Sequence, residues 1–382
     1  MSAPLLEVCV DSRAGLAAAV AGGARRLEVC ARLEAGGLTP EDGLLREAVA
    51  SGLPCVAMVR PRGGTHVWSP GERVALLDDL ARVKHSGAQA VVLGAITVHG
   101  RVDRELASQL VEAARPLVAV FHRAFDAVHD RDEALESLVE LGFARVLTSG
   151  GAPDAFSGRF ELGRLVQQAA TRITILPGGG VRAHNAAAIL AASGARELHS
   201  STPFRLPEVE GPPGLRVRPE QPHDHAAVEA LVAAAFGRAA EARLVARLRA
   251  DPLAVSLVAE QDGTLVGHVL FTPIRAGGRS VGGRAMGLAP LSVAERARRS
   301  GIGARLVHEG LALLRRRGTS LVVVLGEPGY YGRFGFTPAA PAGLACRYGG
   351  EDGAFQLLEL AERAAAEQRG TVEYDPAFDE VG

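Results

Sequence analysis

The segment Arg298–Ala304 combines arginine and glycine in a spacing that suits the binding of a diphosphate. It lies between an apolar run and a helical pattern, so Gly301 and Gly303 stand where the chain turns into a helix. Glycines let a ligand approach the backbone closely, and the free N–H groups of a helix N-terminus attract anions, as do the charges of Arg298 and Arg299. Since the Gly-x-Gly-x-x-Gly spacing is absent, a nicotinamide or flavin cofactor is not expected. An ordinary tight connection is the competing interpretation.

Two cysteines occupy matching positions in two apolar runs near the start of the chain. In each run a glutamate precedes the cysteine by two residues, Glu7 before Cys9 and Glu28 before Cys30, so each pair shares one strand face. If the runs are neighbouring strands of a barrel, these side chains point inward and the two thiols lie within reach of each other. Thiolates are good ligands for a soft ion such as Cu(I). Burial as small apolar side chains is the competing interpretation.

Polar residues and glycines also follow several later apolar runs directly. Loops at the carboxyl ends of barrel strands bind ligands, and a glycine-rich loop that enters a helix is a common phosphate site. These segments therefore predict a pocket for a small anionic ligand, although some of the arginines are equally suited to pair with the inward glutamates. The predicted pocket residues are Glu7, Glu28, Arg60, His122, Arg123, Asp126, Gly178, Gly179, Gly180 and His199.

The apolar runs divide the chain into two parts with different secondary structure. From Leu5 to His199 short apolar runs alternate with helical segments, which predicts a TIM-type (β/α)8 barrel. A doubly wound open sheet is the alternative; the barrel is preferred because polar residues follow nearly every strand rather than one switch point. The predicted strands are 5–10, 26–30, 55–59, 90–94, 117–122, 145–148, 173–177 and 197–199. After Leu215 the pattern predicts an α+β domain with strands 215–219, 256–260, 264–272, 284–293 and 320–325 and helices that begin near 224 and 301.

A proline-rich segment, 204–214, separates a predicted first domain, 1–203, from a second, 215–382. Its prolines are incompatible with the last outer helix of a barrel. Something else must then cover the eighth strand, and we expect a partner subunit, which would make a homo-oligomer through the barrel, or the second domain.

The composition excludes several classes of protein. The 382 residues are 47% hydrophobic with a net charge of -1, which predicts a globular protein with no general attraction to nucleic acid or membranes. Lys84, the only lysine, lies in a helical pattern, which argues against a Schiff-base aldolase, and the chain has no Gly-Lys-Ser/Thr triplet of a P-loop kinase. Four unevenly spaced cysteines are no disulfide framework, and no leader or membrane-spanning run is recognised, so we expect a cytoplasmic protein.

From Leu215 onward the sequence resembles the GNAT family of N-acetyltransferases. The matching segments are Arg298–Ala304, the strand Met286–Val293, and Leu325–Phe336 with its Tyr-x-x-x-Gly-Phe ending. The resemblance implies acetyl-CoA as cofactor and an amine of a small molecule or peptide as acceptor. The residues that it implies for cofactor binding are Leu291, Val293, Arg298, Arg299, Gly301, Ile302, Gly303 and Ala304.

The same resemblance implies that Tyr331 protonates the departing thiolate. A phenol, whose pKa lies above neutrality, suits this role. Packing of Tyr330 and Tyr331 above the core is the competing interpretation. His268 and Glu327 are candidates for the general base, and neither is assigned, since a lone histidine in an apolar strand is more often a core residue.

Residues 5–201 resemble the CutC family of copper homeostasis proteins nearly end to end. The motifs are 6–12, 27–30, 36–40, 59–64, 121–126, 147–150, 177–182 and 197–201. The resemblance implies a TIM barrel in which Cys9 and Cys30 hold Cu(I). The chain is thus identified as a copper-homeostasis barrel followed by an acetyl-CoA-dependent N-acetyltransferase. The alternative is that the barrel is an enzyme or binding module for a small molecule that carries phosphate or carboxylate.

Overall fold

The chain folds into two compact units that divide between Leu206 and Pro207. The computed structural model describes residues 4–206, 212–276, 279–280, 284–350, 352–366 and 368–380. Residues 207–211 of the predicted linker lie outside this set. Each unit is described by itself below.

The first unit is a nearly closed barrel of eight parallel strands. The strands are β1 (Leu5–Val10), β2 (Arg26–Val29), β3 (Cys55–Met58), β4 (Ala90–Leu93), β5 (Val118–Phe121), β6 (Arg145–Thr148), β7 (Thr174–Pro177) and β8 (Glu197–Ser200). The helices between them are α1 (Arg13–Ala21), α2 (Asp42–Ala50), α3 (Pro70–Lys84), α4 (Arg104–Ala114), α5 (Arg131–Leu141), α6 (Arg159–Ala169) and α7 (Ala183–Ser193). The strand order is sequential from β7 back to β1, and β8 returns to pair with β1. The barrel prediction is confirmed, and the doubly wound alternative is wrong because the order has no switch point.

The pleat of β1 and β2 separates two sets of side chains. Leu6, Val8 and Val10 belong to the core between strands and helices. Cys9 and Cys30 belong to a separate cluster inside the barrel. Because successive side chains of a strand point to opposite faces, placing the cysteines inside the barrel also places the alternating apolar residues against the helices.

No helix follows β8 within residues 201–206. Instead, Phe204 and Leu206 pack against the barrel core, and Pro203 lies against Gly22 at the end of α1. This short extended segment covers part of the surface that a last outer helix would cover. Coverage by a partner subunit or by the second unit stays a prediction.

The second unit is built on a seven-stranded mixed sheet in the order β16-β18-β15-β14-β11-β10-β9. Its strands are β9 (Arg216–Pro219), β10 (Val255–Gln261), β11 (Thr264–Pro273), β14 (Ala285–Val293), β15 (Leu321–Leu325), β16 (Thr337–Pro338) and β18 (Phe355–Glu359). A small second sheet contains β12 (Arg275–Ala276), β13 (Arg279–Ser280), β17 (Leu344–Cys346) and β19 (Gly370–Glu373). The helices are α8 (His225–Phe236), α9 (Ala240–Leu248), α10 (Ile302–Arg316) and the single turn α11 (Pro328–Tyr331). Helix α9 was not predicted, although its buried residues Ala242, Val245 and Leu248 follow helical spacing.

Two central strands of this sheet separate along their length. β14 and β15 are parallel and pair only over Ala285–Gly287 and Leu321–Val323. β14 continues to Val293, so no strand of the described residues pairs with its second half on that side. The helix α10, whose face with Leu306, Leu311 and Leu314 is buried, connects the two strands. The separation opens a gap in the sheet beside the start of α10.

A glycine before α6 supports the loop after β6. A Cβ atom built on Gly158 would lie 1.9 Å from the carbonyl oxygen of Ser149. We expect Gly158→Ala to destabilise the barrel by about 2–4 kcal/mol, because backbone must move to admit the methyl group. The measurement is urea unfolding followed by the fluorescence of Trp68, the single tryptophan, which is buried in the barrel.

Gly43 in α2 provides the matched control, since a Cβ atom there meets nothing within 4 Å. Gly43→Ala should leave the barrel unchanged or up to about 1 kcal/mol more stable, because alanine favours a helix. Equal unfolding midpoints for the two variants would contradict the steric argument.

Candidate functional sites

A cavity of about 430 Å³ lies inside the first unit. Of the residues predicted for this pocket or its metal, those that line the cavity are Cys9, Glu28, Arg60, His122, Arg123, Gly179, Gly180 and His199. Glu7, Cys30, Asp126 and Gly178 are not among the lining residues. Met58 and His66 line it and were missed. Met58 stands at the end of β3 and His66 in the loop that follows, where the carboxyl ends of barrel strands gather ligand residues.

A network of charged groups includes His199 of the cavity wall. Arg26 donates from Nε to Oε2 of Glu7 and from Nη2 to Oε2 of Glu197, both at 2.5 Å. Nδ1 of His199 lies 2.8 Å from Oε1 of Glu7, across the pairing of β1 with β8. Burial by itself raises the pKa of Glu7, but the hydrogen bond with His199 and the charge of Arg26 outweigh it and lower the pKa to about 2. The anionic Glu7 therefore holds His199 by Nδ1.

The two thiols meet beside this network. Sγ of Cys9 lies 3.4 Å from Sγ of Cys30 and 3.3 Å from Oε1 of Glu28. The contact with Cys30, burial and the nearby carboxylate raise the pKa of the Cys9 thiol well above its usual value. Burial likewise raises the pKa of Glu28. Without a metal, Cys9 is thus a neutral thiol.

The same corner brings together donor atoms that suit a soft metal. Ligand atoms of Cys9, Glu28 and His199 all lie within 4.8 Å of one another, and all three residues are buried. Cys30 adds a second sulfur next to Cys9. Two adjacent sulfurs and an imidazole are a donor set that fits Cu(I), and binding would displace the thiol proton.

A pair of neutral histidines forms another wall of the cavity. Nδ1 of His122 accepts the backbone N–H of Ala124 at 3.2 Å, so the ring proton is on Nε2. That buried Nε2 has no hydrogen-bond partner among the described residues, and neither has Nδ1 of His66, whose ring centroid lies 4.5 Å away. Burial lowers the pKa of His122 far below its usual value, and burial followed by the charge of Arg60 lowers that of His66 to about 4. Both rings are therefore neutral, and Nε2–H of His122 can donate to an oxygen of a bound molecule.

The arginines predicted for this pocket are engaged in holding loops. Arg60 donates to the carbonyls of Ala35, Gly36, Gly37 and Gly64. Arg123 donates to Asp126 at 2.7 Å and to Ser149 at 3.1 Å. Asp126 also accepts the backbone N–H groups of Ser149 and Gly151. Both arginines thus hold loops at the cavity wall, and the buried Nε of Arg60 has no hydrogen-bond partner among the described residues.

In the second unit the glycine turn precedes α10 as the spacing predicts. Gly301 has φ 88°, the left-handed conformation that favours glycine, and no side chain among the described residues caps the helix that follows. The first N–H groups of α10 are therefore open to an anion. A Cβ atom on Gly303 would lie 2.5 Å from the hydroxyl of Tyr330, so glycine at this position lets that hydroxyl lie against the turn.

The other residues predicted for the cofactor divide into two groups. Ile302 and Ala304 are buried and pack under the turn. Arg298 donates to the carbonyl of Ala235 at 3.1 Å and ties the turn to the end of α8, whereas Arg299 is exposed. Leu291 and Val293 lie on the part of β14 that β15 does not pair. The unpaired part of β14, the exposed Arg299 and the open amides of α10 thus follow one another directly in the chain.

A cavity of about 620 Å³ continues from the gap between β14 and β15. It is lined by Phe236, Glu241, Leu244, Leu288, Ala289, Pro290, Leu291, Leu325, Gly326, Glu327, Tyr330, Tyr331, Cys346, Tyr348, Tyr374 and Phe378. Two residues of β14, Ala289 and Pro290, oppose the single residue Leu270 of β11. This bulge redirects the strand at the cavity wall.

Tyr331 lies on this cavity with its ring between aromatic neighbours. The ring centroids are 5.0 Å from Tyr330 and 5.8 Å from Phe336. Burial, followed by the neighbouring Tyr330, raises the pKa of Tyr331 well above its usual value. Tyr331 is therefore a neutral phenol that can donate a proton to a basic group in the cavity.

Neither candidate for the general base is supported by its contacts. His268 is fully buried in β11, where Nε2 lies 2.8 Å from Oγ of Ser256, and it does not line the cavity. Glu327 lines the cavity but caps α11 by accepting the N–H of Gly329 at 3.2 Å. Glu241 of α9, a buried acidic residue that was not predicted, lines the same cavity.

Comparisons with known proteins divide at the same boundary. Residues 4–203 match the CutC family and residues 216–339 an acetyltransferase (GNAT) domain. The copper homeostasis protein cutC homolog of Homo sapiens is 46% identical over 198 residues, which cover 52% of this chain and 72% of that protein. The CutC structure from Streptococcus agalactiae is 32% identical, covers 52% of this chain and 99% of that chain, and has a TM-score of 0.50. A GNAT family N-acetyltransferase (YhbS) from Escherichia coli, in complex with CoA, is 38% identical, covers 46% of this chain and 98% of that chain, and has a TM-score of 0.42.

Among the described residues, none of the helices combines the length and apolar character that a membrane crossing requires.

Proposed function

Because the chain belongs to the CutC family and carries a GNAT acetyltransferase domain, we propose that it transfers the acetyl group of acetyl-CoA to an amine and binds Cu(I) in its barrel. The observation that carries the transferase proposal is the separation of β14 from β15 beside the uncapped start of α10. That gap leads into the cavity that holds Tyr331.

The shape of the gap suits the extended arm of coenzyme A. Beyond Gly287 no described strand pairs with β14 on the side of β15, and apart from the Val293 carbonyl, which accepts from Arg298 at 3.4 Å, its N–H and C=O groups can pair with the amides of a pantetheine arm. The open N–H groups after Gly301 and the charge of Arg299 would then hold the diphosphate. The thioester would end in the cavity, near Tyr331.

The acetyl transfer needs one proton donor on the enzyme. The amine nitrogen attacks the thioester carbonyl carbon, a C–N bond forms, and the C–S bond breaks as the tetrahedral intermediate collapses. The departing thiolate takes the hydroxyl proton of Tyr331, and the nitrogen loses its proton to solvent. The Tyr331 phenolate then regains a proton from solvent. A neutral, buried phenol is suited to this step because it stays protonated at neutral pH.

We expect Arg299→Gln to weaken acetyl-CoA binding about tenfold, because one charge-assisted contact with the diphosphate is lost. The measurement is isothermal titration of acetyl-CoA into the full chain. Arg317→Gln is the matched control: Arg317 is also exposed and lies just beyond the opposite end of α10. Equal affinities for the two variants would place the diphosphate elsewhere.

The barrel proposal rests on the two sulfurs that touch across β1 and β2. Cys9 and Cys30 would hold Cu(I), and the imidazole of His199 is near enough to join them after the copper displaces protons. Coordination by the two thiolates would allow the barrel to store Cu(I). The protein's part is to bury the sulfurs and to hold His199 by Glu7.

A second candidate function for the barrel is the binding of a small molecule that carries a carbonyl or an anion. The observation that favours it is the buried Nε2–H of His122 without a partner among the described residues. Soaking crystals with inorganic phosphate tests it: density between His122 and Gly179–Gly180 would favour the small molecule over copper.

A further inference from the structure

The cavity beside Tyr331 is rich in aromatic rings. Tyr348, Tyr374 and Phe378 form one cluster, with centroids 5.9 Å apart for the two tyrosines and 5.0 Å apart for Tyr374 and Phe378. The hydroxyl of Tyr348 donates to Asp379 at 2.6 Å, so its polar end is engaged and its ring is left for apolar contact. Such rings bind flat or apolar bodies and stabilise nearby cations.

The charges on this cavity are all of one sign. Among its described lining residues, the acidic ones are Glu241 and Glu327, and none is Lys, Arg or His. Glu241 is only 6% exposed. Its Oε1 lies 2.6 Å from Arg238, while its buried Oε2 has no hydrogen-bond partner among the described residues. A buried carboxylate oxygen without a donor is costly, and an N–H group of a ligand would relieve that cost.

We infer that this cavity is the acceptor site and that it takes a monoamine with an apolar, preferably aryl, body and no carboxylate. The ammonium group binds Oε2 of Glu241, and the apolar body lies among Tyr348, Tyr374 and Phe378. This inference rests on the proposed acetyltransferase function and names the class of its acceptor.

The charge arrangement implies discrimination between closely related amines. A free amino acid brings a carboxylate next to Glu241 and Glu327, and like charges in a partly buried site repel. The ammonium loses one proton before it attacks, so the complete reaction turns ammonium and thioester into amide, coenzyme A thiol and one proton released to solvent. Glu241 selects and positions the amine in this sequence.

The test compares phenethylamine with phenylalanine, which differ by one carboxylate. We expect kcat/KM for acetylation of phenethylamine to exceed that of phenylalanine by at least about tenfold. Binding is measured separately, on the full chain without acetyl-CoA, by saturation-transfer NMR of each compound. Product is measured by mass spectrometry with acetyl-CoA present.

Two variants separate recognition of the amine from mere support of the fold. Glu241→Gln should raise KM for phenethylamine about tenfold and reduce the preference over phenylalanine, because the charge that distinguishes them is gone. Arg238→Gln breaks the same ion pair but leaves the carboxylate, so it should keep or tighten amine binding. If the pair served only the fold, both variants would behave alike. Glu362→Gln, an exposed carboxylate away from the cavity, should match the wild type.

The outcomes test the acceptor site and the proposed acetyl transfer separately. If phenethylamine binds through Glu241 but no acetyl group is transferred, the acceptor site stands and the transferase proposal fails. If other amines are acetylated while phenethylamine neither binds nor reacts, or if phenylalanine reacts equally well, the acceptor inference is overturned.

Discussion

Replacing Tyr331 by phenylalanine should lower kcat for acetyl transfer by about a hundredfold or more, while the Kd of acetyl-CoA stays within about twofold. The substitution removes one hydroxyl and keeps the ring that packs against Tyr330 and Phe336. Without a proton donor the leaving group departs as a thiolate in a cavity walled by apolar and aromatic side chains, where its charge is poorly stabilised. Initial rates of coenzyme A release and titration of acetyl-CoA measure the two quantities.

Tyr330→Phe is the control for this prediction. The hydroxyl of Tyr330 lies against Gly303 at the start of α10, so its loss should change the Kd of acetyl-CoA rather than kcat. If both phenylalanine variants lower kcat by the same factor, the two tyrosines serve packing and neither is the acid.

Replacing both Cys9 and Cys30 by serine should abolish stoichiometric Cu(I) binding, with affinity lower by more than about two orders of magnitude, because hydroxyls are poor ligands for a soft ion. Competition with a chromophoric Cu(I) chelator under anaerobic conditions measures the affinity. Since the pKa of the Cys9 thiol is raised, copper must displace its proton, and the wild-type affinity should rise with pH.

Cys55→Ser provides the comparison for the double variant. Cys55 is also buried in the barrel, but its Sγ lies 3.3 Å from the carbonyl of Leu53 and belongs to a different cluster from Cys9. This variant should bind one equivalent of Cu(I) as the wild type does. Stoichiometric binding that survives the loss of Cys9 and Cys30 would refute the proposed copper site.

The repeating pattern of the sequence determined the architecture and the face on which each strand residue lies. Alternation of short apolar runs with helices was sufficient for the barrel, since each strand is recognised from its own residues. The side-chain period of two likewise placed Glu7 with Cys9 and Glu28 with Cys30. The turn at Gly301 was also predictable, because its left-handed backbone and the free amides of the helix depend only on neighbouring residues.

Contacts between distant elements were decided only by the tertiary structure. The bond between Glu7 and His199 joins residues 192 positions apart, and it exists because β8 returns to β1. Sequence spacing likewise did not show that Arg60 holds backbone carbonyls, or that Glu241 of α9 lines the cavity beside Tyr331. A side chain's partner depends on the register and packing of elements far away in the chain, and no local pattern of residues contains that information.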